Sequence, residues 1–202
     1  MSATRPKYAD AVRTLLKDTL FGAASDLLRD TKWTDVSMAA IAERAGVSRQ
    51  TLYNEFGSRD EFAQSFVMHQ ANAFLTSIEA TVAAHGDDPH KALGAAFERF
   101  LTAAGESPMV RAILVREPGS DDLFALFTTR GGPVVELATE RIGSAICRQW
   151  PTADAKEVRF AAECLVRLAI SHASLPTDSS ARTAKSIASL LGPIVTRTLR
   201  LP

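Results

Sequence analysis

The sequence contains few cysteines and no long apolar run. Only two of its 202 residues are cysteines, Cys147 and Cys164, and they form no CxxC pair. Both lie in apolar helical patterns, so we interpret them as reduced core thiols and not as a disulfide or a metal pair. No stretch stays apolar for the roughly 20 residues that a membrane-spanning helix requires, and the N-terminal residues lack the apolar core of a signal peptide. We therefore expect a cytoplasmic protein without a membrane segment.

The sequence also lacks the motifs of the common enzyme classes. Its four histidines form no HExxH pair and have no carboxylates at metal-ligand spacing, and neither a GxSxG elbow nor a P-loop is present. The run Gly131-Gly132-Pro133 is interpreted as a loop break and not as a phosphate-binding loop. We therefore predict that the protein is not an enzyme and uses no metal or cofactor.

An excess of charge of either sign is absent as well. Lys and Arg together number 23, as do Asp and Glu, and residues 1–60 carry nine basic and eight acidic side chains. A nucleic-acid partner would need a local basic surface, because phosphate contacts supply much of the affinity. The charge balance by itself therefore indicates no polyanionic partner.

Helical periodicity dominates the chain, whereas the alternation typical of strands is rare. We predict an all-α fold of nine or ten helices. The first helix is predicted from Tyr8 to Arg29, where apolar residues at helical spacing form one stripe.

The composition changes near residues 84–88, and this change predicts two domains. The N-terminal domain comprises residues 1–58 and the larger C-terminal helical domain comprises residues 59–202. The capping box Ser58–Glu61 begins a long helix towards Ala84 that joins the two domains without a flexible linker.

Two short helices with a tight connection are predicted in the N-terminal domain. Ser37 is placed to cap the first, which extends to Ala45, and Ser48 is placed to cap the second, which extends to Phe56. Gly46 ends the first helix because glycine tolerates a left-handed turn. The pattern is that of a helix-turn-helix.

Several polar side chains lie on the solvent side of the second short helix and are not explained by folding. Arginine can pair with guanine, and glutamine or asparagine with adenine, while a hydroxyl and the free N–H groups of a helix start suit a phosphate. The alternative is that they are ordinary solvated residues. They are Ser48, Arg49, Gln50, Tyr53 and Asn54.

The last two helices are candidates for a contact between two copies of the chain. The helix from Ala155 to about Ala173 is apolar on nearly all sides, so most of its surface must be buried. With the final helix, Arg182 to Leu199, it predicts a two-fold four-helix interface. Packing within one chain is the alternative.

Aromatic and methionine side chains in the C-terminal domain are consistent with an apolar pocket, since such residues suit adaptable ligand sites. Ordinary core packing is the alternative for each. A ligand bound there would be apolar, such as a lipid or an acyl compound. The candidate lining residues are Phe97, Phe100, Met109, Ile113, Phe124, Phe127 and Trp150, with His172 as a polar group to orient the ligand.

The helix-turn-helix region carries a specific run of residues: Ile41-Ala42, Ala45 to Ser48, Thr51 to Tyr53, Phe56, Ser58-Arg59 and Glu61. This run resembles the signature of the TetR family of bacterial transcription regulators, and the resemblance covers about residues 9–65. The end of the run, YNEFGSRDE, is similar to a subset of actinobacterial members, some of them near alkane or fatty-acid oxidation genes.

The resemblance implies an N-terminal helix-turn-helix domain that binds DNA and a C-terminal domain that dimerises and binds a small effector. It also implies roles for individual residues: base contacts for Arg49, Gln50 and Asn54, phosphate-backbone contacts for Ser37, Ser48 and Tyr53, and a further phosphate contact for Arg59. Arg5 and Lys7 would form either an arm along the minor groove or a solvated tail. Glu55 is acidic close to the DNA face, and we expect it to point away from the phosphates, towards the first helix.

The leading hypothesis is a homodimeric repressor that binds a pseudo-palindromic DNA operator and is released by a small apolar ligand. The alternative is a helical interaction module whose helix-turn-helix contacts a protein. Salt dependence distinguishes the two, because DNA binding weakens steeply with salt.

Overall fold

The structure is a computed structural model, and it describes residues 8–107, 110 and 132–200. The described chain is all-α, as predicted. Its helices are α1 (Tyr8–Asp30), a 3-10 turn (Trp33–Asp35), α2 (Met38–Arg44), α3 (Arg49–Phe56), α4 (Arg59–Ala84), α5 (Pro89–Glu106), α6 (Gly132–Gln149), α7 (Ala155–Ser174) and α8 (Ser180–Thr198). The sequence also predicts two short helices, near residues 108–115 and 123–129, and apart from residue 110 they lie outside the described residues.

Local sequence signals determine where the short helices begin and end. The hydroxyl oxygens of Ser37, Ser48 and Ser58 each accept a backbone N–H three residues ahead, which caps α2, α3 and α4 as predicted. Gly46 and Gly57 end α2 and α3 at φ of +70° and +76°, a conformation that a side chain with a Cβ rarely adopts.

Aspartates cap two of the longer helices in the C-terminal region. The Asp88 carboxylate accepts the backbone N–H of His90 and of Lys91 at the start of α5, and the Lys91 N–H holds the pKa of Asp88 below its ordinary value. Asp154 caps α7 in the same way, with its pKa lowered mainly by the backbone N–H of Glu157. Both carboxylates favour the ionised form because the N–H groups of a helix start stabilise negative charge.

An aromatic core holds the N-terminal helices together. The Phe21 ring of α1 lies 5.5 Å from Phe56 of α3 and 5.6 Å from Phe62 of α4, centroid to centroid. Trp33 and Phe66 stack nearby, and both are almost fully buried. The packing unit therefore includes the first turns of α4 and extends past residue 58, where the division into domains was predicted.

The C-terminal helices pack around the far half of α4. Helix α5 lies against α8, α6 lies against α7, and α4 contacts both α5 and α6. Small residues permit the close approach of α5 and α8: a Cβ at Gly94 would lie 3.3 Å from the Cβ of Ala188. Within the described part of the chain, no helix is both long and apolar enough to cross a membrane.

Candidate nucleic-acid interface and apolar cavity

Helix α3 separates its buried and exposed side chains sharply. Leu52 and Phe56 are buried against the N-terminal core. Four residues on the other side are exposed, and they are called the polar face of α3: Arg49, Gln50, Tyr53 and Asn54. The predicted DNA-contacting side chains of this helix therefore share one solvent-facing surface.

Two amides on the polar face are joined. The Gln50 Nε2 donates to the Asn54 Oδ1 at 2.7 Å, across one turn of the helix. This bond leaves the Gln50 carbonyl oxygen and an N–H of Asn54 available, an acceptor and a donor that match the N6–H and N7 of adenine.

The two serines predicted to contact phosphates lie at helix starts. Ser37 Oγ accepts the Ala40 N–H at 3.1 Å and Ser48 Oγ accepts the Thr51 N–H at 3.0 Å. Both are exposed. Each helix start therefore combines a hydroxyl with unpaired backbone N–H groups, which suits a phosphate oxygen.

Arg59 has a structural partner that the sequence did not indicate. Its Nη2 donates to the backbone oxygen of Trp33 at 2.7 Å, and its guanidinium carbon lies 4.9 Å from the Trp33 ring centroid. Arg59 thus fixes the connector between α1 and α2 on the start of α4. A phosphate contact by Arg59 would use guanidinium N–H groups that take no part in the bond to Trp33.

Glu55 points towards α1, which agrees with the expectation from the sequence. Its carboxylate accepts two bonds from Arg13 Nε, at 2.7 and 2.9 Å, and lies 3.3 Å from Lys17 Nζ. Only 10% of the Glu55 side chain is exposed. These three residues are called the Glu55 ion-pair cluster.

A cavity of about 420 Å³ lies between α4, α5, α6, α7 and the end of α8. Its lining is almost wholly apolar. Phe97, Phe100 and Trp150, three of the candidate ligand-binding residues, are among its lining residues. The predicted lining residues Met109, Ile113, Phe124 and Phe127 lie outside the described residues.

His172 does not line the cavity. Helix α7 directs Leu165, Val166, Ala169, Ile170 and Ala173 towards the cavity, and the half-buried His172 lies outside this set. A role for His172 in orienting a ligand therefore stays a prediction, because the described lining of the cavity does not include it.

Helix α4 also contributes to the cavity wall, which was not predicted from the sequence. Phe74, Ile78 and Val82 line it from α4, and the Phe74 ring lies 5.5 Å from Phe100. Their spacing of i, i+4 and i+8 places the three side chains on one face of the helix, and this pattern is visible in the sequence. The sequence predicts α4 only as the connection between the two domains.

Polar contacts tie the cavity walls to each other and to α1. Gln70 lines the cavity, and its Nε2 donates to Ser25 Oγ of α1 at 2.6 Å. Arg141 of α6 donates to Glu79 Oε1 of α4 at 2.6 Å, and this contact holds the pKa of Arg141 above its ordinary value. Both bonds involve α4, which therefore connects the cavity to the N-terminal core.

The last two helices expose large apolar side chains. On α7, Phe160 is 70% exposed and Cys164 lies exposed one turn later. On α8, Leu190 is 74% exposed and Ile194 is 48% exposed, also one turn apart. Side chains of this size are rarely left in water in such a group.

Metal binding has no support among the residues described. No group of three or more His, Cys, Asp or Glu side chains there could hold a metal ion.

Two family models match the chain. One, described as bacterial regulatory proteins of the tetR family, matches residues 20–66. The other, described as the C-terminal domain of the bacterial tetracyclin repressor, matches residues 88–193. Together they span both the helix-turn-helix and most of the helices around the cavity.

Individual relatives match over nearly the whole chain. The HTH-type transcriptional regulator AlkX of Mycobacterium tuberculosis is 31% identical over 195 residues, covering 96% of this chain and 91% of that protein. The crystal structure of the TetR family repressor AlkX from a Dietzia species, implicated in biodegradation of n-alkanes, is similar with a TM-score of 0.79 and 29% identity, covering 98% of this chain and 100% of that one. A transcriptional regulator from a Rhodococcus species shares the fold, with a TM-score of 0.50 and 18% identity over 92% of this chain and 96% of that one. The chain therefore belongs to the TetR family of bacterial regulatory proteins, DNA-binding transcription regulators that are not enzymes.

Proposed function

We propose that the protein is a homodimeric repressor that binds a pseudo-palindromic operator and is released by a small apolar ligand of the acyl or alkane type. The observation that carries the proposal is that α4 belongs both to the N-terminal core and to the cavity wall. Its first turns bury Phe62 and Phe66 in the N-terminal core, and its later turns place Phe74 and Ile78 in the cavity wall. A ligand in the cavity therefore contacts the same helix that supports α3.

In the proposed complex, each subunit places α3 in one major groove. Arg49, Gln50 and Asn54 contact base edges, because they are exposed and carry the donors and acceptors that the major groove matches. Ser37, Ser48, Tyr53 and Arg59 contact the phosphate backbone, which fixes the register of the helix.

The dimer forms through α7 and α8. Phe160 and Leu190 are among the exposed large apolar side chains of these helices, and a two-fold contact would remove them from water. The two-fold axis would set the spacing of the two α3 helices and so the spacing of the operator half-sites.

The ligand class follows from the cavity. A volume of about 420 Å³ lies in the range of small-molecule sites. The polar residues in the described lining are a minority, namely Gln70, Ser77, Arg99, Ser107 and Thr198, which leaves hydrocarbon contact as the main source of affinity. The relation of the Dietzia repressor to n-alkane biodegradation supports the same class.

Release requires that the ligand bind one conformation more tightly than another. Gln70 is suited to this coupling because it lines the cavity while it donates to Ser25 of α1. A ligand that displaces the Gln70 side chain would weaken that bond and allow α1 and α3 to move relative to α4.

The proposal is tested by selecting bound sequences from random or genomic DNA and then measuring gel shifts on the selected operator. Arg49→Ala should weaken binding by about 1–3 kcal/mol if Arg49 contacts a guanine in bidentate fashion. Tyr53→Phe should weaken it less, because it removes one hydroxyl. Both variants should remain dimeric, and unchanged affinity in both would contradict the proposed DNA contacts.

A further inference from the structure

A carboxylate on the DNA-facing helix needs a physical explanation. Glu55 directly follows Asn54 of the polar face, and the N-terminal 60 residues carry an excess of only one positive charge. A negative charge near phosphates weakens binding to any DNA sequence, because it opposes the electrostatic part of the affinity. A favourable contribution of Glu55 to specific DNA binding would therefore have to come from its contacts within the protein.

The Glu55 ion-pair cluster links α3 to α1. The backbones of these two helices come close to each other at few positions. Arg13 Nε contacts both oxygens of the Glu55 carboxylate, and Lys17 Nζ lies 3.3 Å from one of them and 5.7 Å from the Phe56 ring centroid. The contacts come from consecutive turns of α1. A carboxylate held from two directions restricts rotation of its helix more than one contact would.

Helix α3 requires such a restriction, because it has only eight residues and cannot hold its orientation through its own hydrogen bonds. Its buried anchors are Leu52 and Phe56, which face the core from one side. Glu55 adds a contact on the flank of the helix, between the core side and the polar face. The direction in which Gln50 and Asn54 project is thereby fixed relative to α1.

The same contacts reduce the positive charge that Arg13 and Lys17 can present to DNA phosphates. Both side chains remain partly exposed, 62% and 38%, yet their charges are directed to Glu55. Cations released from this cluster would be available to phosphates of any sequence.

We propose that Glu55 is a positioning residue that raises the preference for operator over non-operator DNA. It does so by orienting α3 through Arg13 and Lys17 and by withholding these two cations from non-specific phosphate contact. The inference rests on the proposed DNA-reading role of α3.

The test compares wild type with Glu55→Gln on the selected operator and on a scrambled duplex, over a range of salt concentrations. A charge that merely repels phosphates predicts tighter binding of both duplexes by the same factor. The positioning role predicts that the ratio of operator to non-operator affinity falls by roughly tenfold, the size of one weakened base contact. It also predicts that the salt slope on the scrambled duplex steepens by about one unit for each freed cation.

Two further variants make the result specific. Glu43→Gln removes the same charge from an exposed position of α2 that has no ion pair among the described residues, and it should leave the affinity ratio unchanged. Arg13→Gln combined with Lys17→Gln leaves the sequence of α3 intact and should also lower the ratio, because α3 loses its contact with α1, but it should not steepen the salt slope on the scrambled duplex, because no cation is freed. In that double background, adding Glu55→Gln should change the ratio no further.

Hydrogen exchange without DNA separates this inference from the proposed function. The α3 amides should exchange faster in Glu55→Gln than in wild type, while those at the centre of α7 are unchanged. An equal gain in affinity for both duplexes, or unchanged α3 exchange, would overturn the positioning role. A wild-type protein with no operator preference would instead overturn the proposed function, whatever the exchange result.

Discussion

Lengthening a straight-chain ligand by one methylene should strengthen its binding to the cavity by a nearly constant factor. The described lining is mostly hydrocarbon and comes chiefly from five helices, with Phe97 and Phe100 of α5 and with Trp150 just after α6. Burial of one methylene contributes about 0.8 kcal/mol, which corresponds to a roughly fourfold lower Kd. The gain should end when the chain fills the cavity of about 420 Å³, because further methylenes would stay in water.

The measurement is the Kd of a homologous series of fatty acids or alkanols, by calorimetry, together with the concentration that releases operator DNA. Ala96→Leu adds three carbons to the cavity wall and should move the plateau to shorter chains. Ala11→Leu makes the same change on the exposed surface of α1 and should leave the plateau in place. A Kd that does not depend on chain length, or tightest binding by short polar ligands, would refute the assignment of ligand class.

Three other predictions concern the dimer interface, the coupling between ligand binding and operator binding, and the stability of the fold. Leu190→Glu should raise the dimer Kd by more than about 100-fold, because a dimer would bury an unpaired charge. Gln70→Ala should leave ligand affinity nearly intact but reduce the ligand's effect on operator affinity by about fivefold, the equivalent of one hydrogen bond of about 1 kcal/mol. Thr139→Val should stabilise the fold by about 1 kcal/mol and raise the Tm by about 2–4 °C, because the buried Thr139 hydroxyl has no hydrogen-bond partner among the described residues.

Each of these predictions has a direct check. Light scattering after size exclusion measures the dimer, and Leu15→Glu, on a similarly exposed leucine of α1, should not affect it. The Gln70 prediction fails if ligand binding and DNA release decline together. A lower Tm for Thr139→Val in thermal unfolding would mean that the hydroxyl has a stabilising partner.

The helix-turn-helix could be predicted from the sequence because its signals are local. Ser37, Ser48 and Ser58 cap their helices through N–H groups three residues away, and Gly46 adopts the positive φ that its turn requires. The exposure of Arg49 and Asn54 followed from the same helical spacing. Interactions within four residues leave a readable pattern in one sequence.

Contacts across long sequence separations could not be predicted in the same way. Arg59 donates to Trp33 and Gln70 donates to Ser25, pairs separated by 26 and 45 residues. Nothing in the sequence around Arg59 distinguishes a stacked guanidinium from one reserved for a phosphate. The same holds for His172, because an apolar helical pattern does not indicate which face of the helix borders the cavity.

The helices, their caps, the polar face of α3 and, through the matching residues, the family can all be predicted from the order of the amino acids. Packing between distant helices establishes which of them enclose the cavity, that α4 belongs both to the cavity wall and to the N-terminal core, and that Glu55 binds Arg13 and Lys17. The reason is that helix formation depends on neighbours along the chain. The environment of a side chain depends on which distant helix packs beside it, and that is decided by the burial of the whole apolar surface at once.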